Sequence, residues 1–213
     1  MNKNTILVAI IALLVGGIGA YILTTYQENY WRGGMMSQNQ SDNIAEMGAH
    51  RMPDGEMMDD VNGMDHMMAM MVSSEREFIE EMIPHHQEAV DTAKEVIERG
   101  GTTPEIKRLV ENIVVAQERE IADMKSWYQA WYGTPYQPSS NYTPMMRELD
   151  NLSGSTIDRV FLEDMIGHHM GAIMMARSVQ PYIEHTEIAE LADAVVSTQS
   201  AEIMLMRSML QGL

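Results

Sequence analysis

Two adjacent histidine pairs, each preceded by a methionine, are the residues of this chain best suited to chemistry. They are Met82, His85 and His86 in one copy, and Met165, His168 and His169 in the other. Each methionine stands four residues before the second histidine of its pair, so the two side chains share one face of a helix and could chelate a single ion. Thioether sulfur with imidazole suits Cu(I), and by extension Ag(I), better than hard cations.

The histidine pairs belong to an internal repeat. Residues 78–94 align without gaps to residues 161–177, and the similarity resumes one residue out of step on a following helix. The matched residues of that second helix are Gln117, Glu120 and Met124 in the first copy, and Gln199, Glu202 and Met206 in the second. Each repeat is therefore predicted to be a hairpin of two helices, and Met124 and Met206 join the candidate metal ligands.

Capping and breaking residues support this division into helices. They are a capping box of Ser74 and Glu77, a stop at Gly100-Gly101, a restart at Thr103-Pro104, and Pro181 within the second repeat. Two apolar faces follow the spacing of buried helices: Ile106, Leu109, Val110, Ile113, Ile121 and Met124, then Ile188, Leu191, Val195, Ile203 and Met206. The sequence predicts an all-α, four-helix bundle with pseudo-two-fold symmetry, with repeats at 74–132 and 155–212.

Folding each hairpin about its turn predicts where the histidines point. His86 and His169 are expected to face a shared interior together with the methionines, where the pseudo-axis could join the two halves. His85 and His168 are rotated by about 100° from their neighbours and are expected to lie to one side, as a supporting layer or a second site.

Pro84, and Gly167 in the other copy, precede the histidine pairs. Both residue types are unfavourable inside a helix, so a local kink is predicted in each repeat. The alternative is that Pro84 begins a helix, which would leave 75–83 as a separate turn.

A methionine-rich segment precedes the bundle. Residues 33–71 contain eleven of the 23 methionines, many acidic residues and little Leu, Ile or Phe. A flexible acidic segment over 27–72 is therefore predicted, in which methionine has no core to fill and thioether chemistry is favoured. The candidate ligands here are Met64, His66, Met67 and Met68. The alternatives are a plain linker, or a helix start that buries its methionines.

Residues 6–23 form an uncharged apolar run that follows Lys3. This length favours a transmembrane signal-anchor over 1–26, and the alternatives are cleavage after Gly19 or Ala20 and a buried core helix. The positive-inside tendency then places residues 73–213 outside the cytoplasm, in the periplasm or at the cell surface.

Composition excludes several classes of function. The net charge of −17 would repel nucleic acid, and the chain has no cysteine, so neither disulfides nor thiolate metal sites can form. No Ser-His-Asp set or phosphate-binding glycine loop is present, and no organic cofactor is predicted.

The pattern M-I-x-H-H, followed on a second helix by Q-x-x-E-I-x-x-M, resembles the bacterial domain-of-unknown-function 305 family over residues 73–212. The resemblance implies an exported, ferritin-like four-helix bundle, with some members regarded as extracytoplasmic copper-binding proteins. By position it implies metal-binding roles for Met82, His85, His86, Met165, His168 and His169.

The favoured function is that of a membrane-tethered copper buffer, scavenger or carrier rather than an enzyme, with a metal-transfer protein or a second copy of the chain as a possible partner. One alternative is a ferritin-like di-metal oxidase. Its Glu-x-x-His pattern is missing, because Glu81 and Asp164 stand four residues before His85 and His168. The other is a metal-free bundle that docks a partner through Trp127, Tyr128, Trp131 and Tyr132.

Overall fold

The computed structural model describes residues 70–139 and 142–213. Helix α1 spans Glu75–Arg99, α2 Pro104–Tyr132, α3 Ser155–Ser178 and α4 Thr186–Leu210, with a 3₁₀ turn at Gln180–Tyr182. These ranges contain no strand, so the prediction of an all-helical protein with four helices is confirmed.

The predicted anchor, and all but the last residues of the methionine-rich segment, lie outside the described residues. Among the helices of the described ranges, none has the apolar length that a bilayer crossing requires.

The start of α1 follows the predicted capping logic with one change. The Ser74 side chain accepts a hydrogen bond of 3.1 Å from the Glu77 N–H. The Glu77 carboxylate, however, accepts from both the N–H and the hydroxyl of Ser73, at 2.7 Å each, instead of from the Ser74 N–H. The reciprocal bond of the capping box is thus displaced by one residue, from Ser74 to Ser73, and the Glu77 N–H of the first turn has an acceptor.

The turn between α1 and α2 is the one predicted. Helix α1 ends before Gly100, and Gly101 adopts a φ of +66° that favours glycine. Thr103 then caps α2 by accepting from the Ile106 N–H at 3.2 Å, and Pro104 is the first helical residue.

Pro84 lies inside α1, which continues unbroken from Glu75 to Arg99. The alternative in which a helix begins at Pro84 is therefore wrong. Proline has no N–H to donate to the carbonyl of Glu80, four residues earlier. The Tyr136 hydroxyl donates to that carbonyl at 3.5 Å and gives it a weak replacement partner. A kink at residues 84 and 167 stays a prediction.

Two apolar clusters form the core, one toward each end of the bundle. The first contains Phe78, Met82, Ile121, Met124, Leu191 and Val195, and the second contains Phe161, Met165, Ile203, Met206, Leu109 and Ile113. All residues of the two predicted apolar faces of α2 and α4 are buried, as expected. Burial of each large apolar side chain contributes about 1.5 to 3 kcal/mol, so these clusters supply most of the stability that holds the hairpins together.

Two buried carboxylates, which we call the carboxylate clasps, tie each hairpin to the other. Glu75 and Asp158 occupy equivalent positions in the two repeats and are 5% and 0% exposed. Glu75 accepts from the N–H groups of Glu184 and His185, at 2.6 and 2.7 Å, and lies 2.6 Å from the His185 ring Nδ1. The start of the first helix therefore holds the turn between α3 and α4.

Asp158, near the start of α3, holds the turn between α1 and α2 in the equivalent way. It accepts from the N–H groups of Gly101 and Thr102, at 2.6 and 2.8 Å, and from the Thr102 hydroxyl. A Cβ at Gly100 would lie 2.5 Å from Asp158 Oδ1, so glycine is needed there for the close approach of α3. Sequence reasoning assigned the glycines only to stopping α1 and missed both clasps, although the repeat aligns the two acids.

Candidate metal centre

A layer of polar side chains separates the two apolar clusters at the middle of the bundle. We call it the histidine layer, and it consists of His85, His86, Gln117, His168, His169 and Gln199. Each of these residues is at most 3% exposed. On every helix the layer falls between residues of the first cluster and residues of the second. The two histidine pairs are thus brought together, as the repeat predicted.

His85 and His168 meet at the centre of this layer. Their ring centroids are 3.7 Å apart, and the ring planes are inclined by 34°. The expectation that these two histidines lie to one side is therefore wrong. The reason is that α1 packs against α3 much more extensively than α2 packs against α4. The side chains of α1 and α3 that face each other therefore occupy the pseudo-two-fold axis.

His86 and His169 lie on the outer side of the layer and are each held by a glutamate. His86 Nε2 is 2.8 Å from Glu120 Oε2, and His169 Nε2 is 2.8 Å from Glu202 Oε2. The carboxylate accepts from Nε2–H of each ring, and Nδ1 has no hydrogen-bond partner. This is how a carboxylate orients a metal-binding imidazole. The two glutamates were visible in the repeat but were not among the predicted site residues.

The four predicted methionine ligands within the bundle are fully buried, but they do not gather in one place. Met82 and Met124 belong to the first apolar cluster, whereas Met165 and Met206 belong to the second. The methionines of the first repeat therefore lie on one side of the layer and those of the second repeat on the other. They do not meet at the pseudo-two-fold axis, contrary to the prediction from the sequence. Four other candidate ligands, Met64, His66, Met67 and Met68, lie outside the described residues.

The histidine layer also contains an unusual number of buried polar atoms without hydrogen bonds. They are Nδ1 and Nε2 of His85 and His168, Nδ1 of His86 and His169, and Oε1 of Gln117 and Gln199. Within residues 70–139 and 142–213, every buried side-chain nitrogen or oxygen atom that lacks a hydrogen bond is in this layer. Such an atom typically costs about 1 to 3 kcal/mol, so packing alone does not account for the layer. Imidazole nitrogens without hydrogen bonds are suited to bind a metal ion such as copper.

Comparison with known proteins places the chain in a family. The model of the family described as "Domain of unknown function (DUF305)" matches residues 25–128 and again residues 75–210. The chain belongs to the DUF305 family. Comparison with curated proteins gave no match.

Solved structures agree with this DUF305 membership. CopM in its Cu(I)-bound form is 38% identical, with a TM-score of 0.60 over 66% of this chain and 98% of that one. CopM in its Cu(II)-bound form is 37% identical, with a TM-score of 0.59 over 67% and 99%. A DUF305 fragment from Deinococcus radiodurans is 28% identical, with a TM-score of 0.58 over 67% and 99%.

The layer of this DUF305 protein is not symmetric in its outer contacts. Glu88, one turn after the first pair, extends toward His168, and its Oε2 lies 3.3 Å from His168 Nε2, without the alignment of a hydrogen bond. The same carboxylate accepts from the N–H groups of Met145 and Met146, at 2.8 and 2.9 Å, and from the Tyr142 hydroxyl. Glu88 therefore holds the segment that links the two hairpins against the layer.

In the described ranges, no group of three or more histidine, aspartate and glutamate side chains is arranged to hold one metal ion.

Burial in the layer predicts acid sensitivity of the metal-free protein. Burial lowers the pKa of His85 well below its ordinary value of 6.5, and the neighbouring His168 lowers it further. Burial also lowers the pKa of His168, although Glu88 acts in the opposite direction. As the pH falls through 6.5, the unfolded chain takes up protons that the folded chain does not. The free energy of unfolding then decreases, by up to about 1.4 kcal/mol per pH unit for each histidine.

Urea unfolding of the metal-free protein between pH 8 and pH 5 measures this dependence. A free energy of unfolding that is constant or rises toward pH 5 would contradict the expected direction.

Proposed function

We propose that this DUF305 protein binds Cu(I) or Ag(I) at the histidine layer and acts as a copper buffer, scavenger or carrier, without catalysing a reaction. The observation that carries the proposal is the set of six buried imidazole nitrogens without hydrogen bonds, at the centre of an otherwise well-packed bundle. The Cu(I)-bound and Ag-bound forms of CopM, a protein of similar fold and sequence, support the same choice of metal.

The chemistry of the layer favours a monovalent soft cation. The two histidines at the centre are neutral over most of the physiological pH range, because burial lowers their pKa values. The carboxylates of Glu120 and Glu202 each accept a hydrogen bond from a histidine and remain 22% and 16% exposed, so they add negative charge near the layer without entering it. Neutral nitrogen donors with thioethers nearby match Cu(I) and Ag(I) better than Fe(II) or Mn(II).

The location of the protein is part of the proposal. Residues 6–23 are long and apolar enough to serve as a membrane anchor, and Lys3 before them favours a cytoplasmic N-terminus. The bundle then lies outside the cytoplasm. In the sequence, Met64, His66, Met67 and Met68 follow this apolar run and precede the bundle, and they would add thioether and imidazole donors.

The partner-docking alternative has less support, because the aromatic residues at the end of α2 are engaged within the molecule. Trp131 stacks on the His185 ring, with centroids 3.8 Å apart. Tyr128 is 5% exposed and donates to the Glu80 carboxylate at 2.6 Å. These contacts give the aromatic residues a role in covering one end of the core.

A metal titration of the full chain in detergent tests the proposed function. Cu(I) under reducing conditions and Ag(I) are expected to bind more tightly than Zn(II) or Fe(II), and His86→Ala with His169→Ala is expected to weaken that binding by about tenfold or more. The matched control is His185→Ala, which removes a histidine outside the layer. The proposal fails if Cu(I) binds no more tightly than Zn(II), or if the double variant binds like the unchanged protein.

A further inference from the structure

The two repeats differ at one position beside the histidine layer. Glu88 of the first repeat corresponds to Gly171 of the second. Glu88 extends its carboxylate to within 3.3 Å of His168 Nε2, whereas Gly171 has no side chain to offer the equivalent His85. Nε2 of His85 lacks a hydrogen bond, and the residue is only 2% exposed. The His168 side of this central histidine pair therefore faces a carboxylate, whereas residue 171 offers no side chain to the His85 side.

Met70 extends its side chain into that space. A Cβ built on Gly171 would lie 2.6 Å from Met70 Sδ and 3.2 Å from His85 Nε2. The thioether sulfur and the unpartnered imidazole nitrogen therefore border the same small volume. The Met70 thioether therefore occupies the position where the pseudo-symmetry of the repeat would place the counterpart of the Glu88 side chain.

The position of Met70 is held by the residues that follow it. Val72 is 4% exposed and packs in the first apolar cluster. Its N–H donates to the Ser178 hydroxyl near the end of α3 at 3.0 Å. Met70 itself is partly buried against the same cluster. The last residues of the methionine-rich segment are thus fixed on α3, next to the layer.

We propose that Met70 Sδ and His85 Nε2 form a binding site for a soft monovalent cation, Cu(I) or Ag(I), and that this site connects the methionine-rich segment to the histidine layer. This inference rests on the proposed function. It adds a point at which the cation enters the histidine layer, and a ligand that lies outside the repeat. Thioether sulfur is a soft donor and imidazole also binds copper, so the pair favours Cu(I) over hard divalent ions. The Glu88 carboxylate makes the opposite side of the histidine pair a harder environment, so the two sides are not equivalent.

Glycine at position 171 has a specific role in this site. A side chain there would displace the thioether, and the displaced atoms belong to the end of a flexible methionine. Gly171→Ala is therefore expected to move Met70 away from His85 while it improves the helix propensity of α3. The variant separates loss of the site from loss of the fold.

The experiment is an Ag(I) titration of the full chain in detergent, with Cu(I) under reducing conditions in parallel. Met70→Leu keeps the apolar volume but removes the sulfur, and it is expected to weaken the tightest binding by about tenfold to a hundredfold. Gly171→Ala is expected to act in the same direction. Met71→Leu is the matched control, because Met71 is 59% exposed and adjacent in sequence, and it is expected to leave the tightest binding unchanged.

The outcomes distinguish this inference from the proposed function. If the unchanged protein binds Ag(I) tightly but Met70→Leu and Met71→Leu both bind like it, Met70 is only a packing residue and the inference is overturned. If the unchanged protein shows no preference for Ag(I) and Cu(I) over Zn(II), the proposed function itself fails. NMR of ¹³C-labelled methionine methyl groups provides a second readout, in which the Met70 signal is expected to shift with the first equivalent of Ag(I).

Discussion

Replacing His85 and His168 together by leucine is expected to abolish tight Cu(I) binding and, at the same time, to stabilise the metal-free protein. The two rings contribute four buried nitrogens without hydrogen bonds. Leucine has a similar volume and no polar atoms, so the substitution removes the cost of burying those nitrogens and adds apolar contact across the layer. We expect the free energy of unfolding of the metal-free protein at pH 7 to rise by about 1 to 3 kcal/mol.

Chemical unfolding in urea, with a chelator present, measures this stabilisation, and a Cu(I) titration of the same sample measures the loss of binding. His185→Leu is the matched control, because His185 lies outside the layer and its ring is paired with Glu75 at 2.6 Å. That single substitution is expected to lower the free energy of unfolding, since it removes a partner from a buried carboxylate. If the double variant is less stable than the unchanged protein, the layer is a structural polar network and not a metal site.

Loss of Cu(I) binding together with stabilisation of the metal-free protein is the result expected for a functional site. A residue that binds a ligand is selected for the bound state, and the protein without its ligand bears the cost in stability. The double variant also tests the pH dependence described above. Because His85 and His168 are the buried histidines whose pKa values are lowered, their removal is expected to flatten the loss of stability between pH 6.5 and pH 5.

Asp158→Ala is expected to be the most destabilising single substitution among the acidic residues of the bundle. Asp158 is fully buried, and its carboxylate accepts from two backbone N–H groups and one hydroxyl in the turn between α1 and α2. Its removal leaves the buried Gly101 N–H without an acceptor, takes an acceptor from Thr102 and opens a cavity beside Gly100. Loss of hydrogen bonds to a charged group leads us to expect a decrease of about 3 kcal/mol in the free energy of unfolding.

Urea unfolding of Asp158→Ala is compared with Asp150→Ala, in which an exposed aspartate is removed and a change of less than about 0.5 kcal/mol is expected. Asp158→Asn retains one acceptor oxygen and is expected to fall between the two. Equal stability of Asp158→Ala and Asp150→Ala would show that the clasp does not hold the turn.

The elements of this protein follow from local features of its sequence. Helix ends are marked by Ser74, Thr103 and the Gly100-Gly101 pair, through backbone hydrogen bonds with neighbouring residues. Their effect can therefore be predicted without knowledge of the tertiary structure. The apolar spacing of α2 and α4 identifies their buried faces, because a helix has one period whatever it packs against. The repeat brought both histidine pairs and both glutamates into register.

Tertiary structure decided which histidine of each pair lies at the centre. The sequence places His85 and His86 on different sides of one helix, but it does not say which side faces α3. The close packing of α1 against α3 settles that choice, and it puts His85 against His168 while His86 and His169 turn toward glutamates. Helix pairing depends on the shape of whole surfaces, which no short motif records.

The same distinction applies to the contacts between residues far apart in the chain. Glu75 and Asp158 are ordinary acids near helix starts until the fold brings the opposite turn to each of them. Gly171 is an ordinary helical glycine until Met70 is placed beside it. Residue types and local periodicity determined the helices, the repeat and the candidate ligands, because those depend on interactions within a few residues. The arrangement of the ligands depends on packing between helices, and only the tertiary structure decided it.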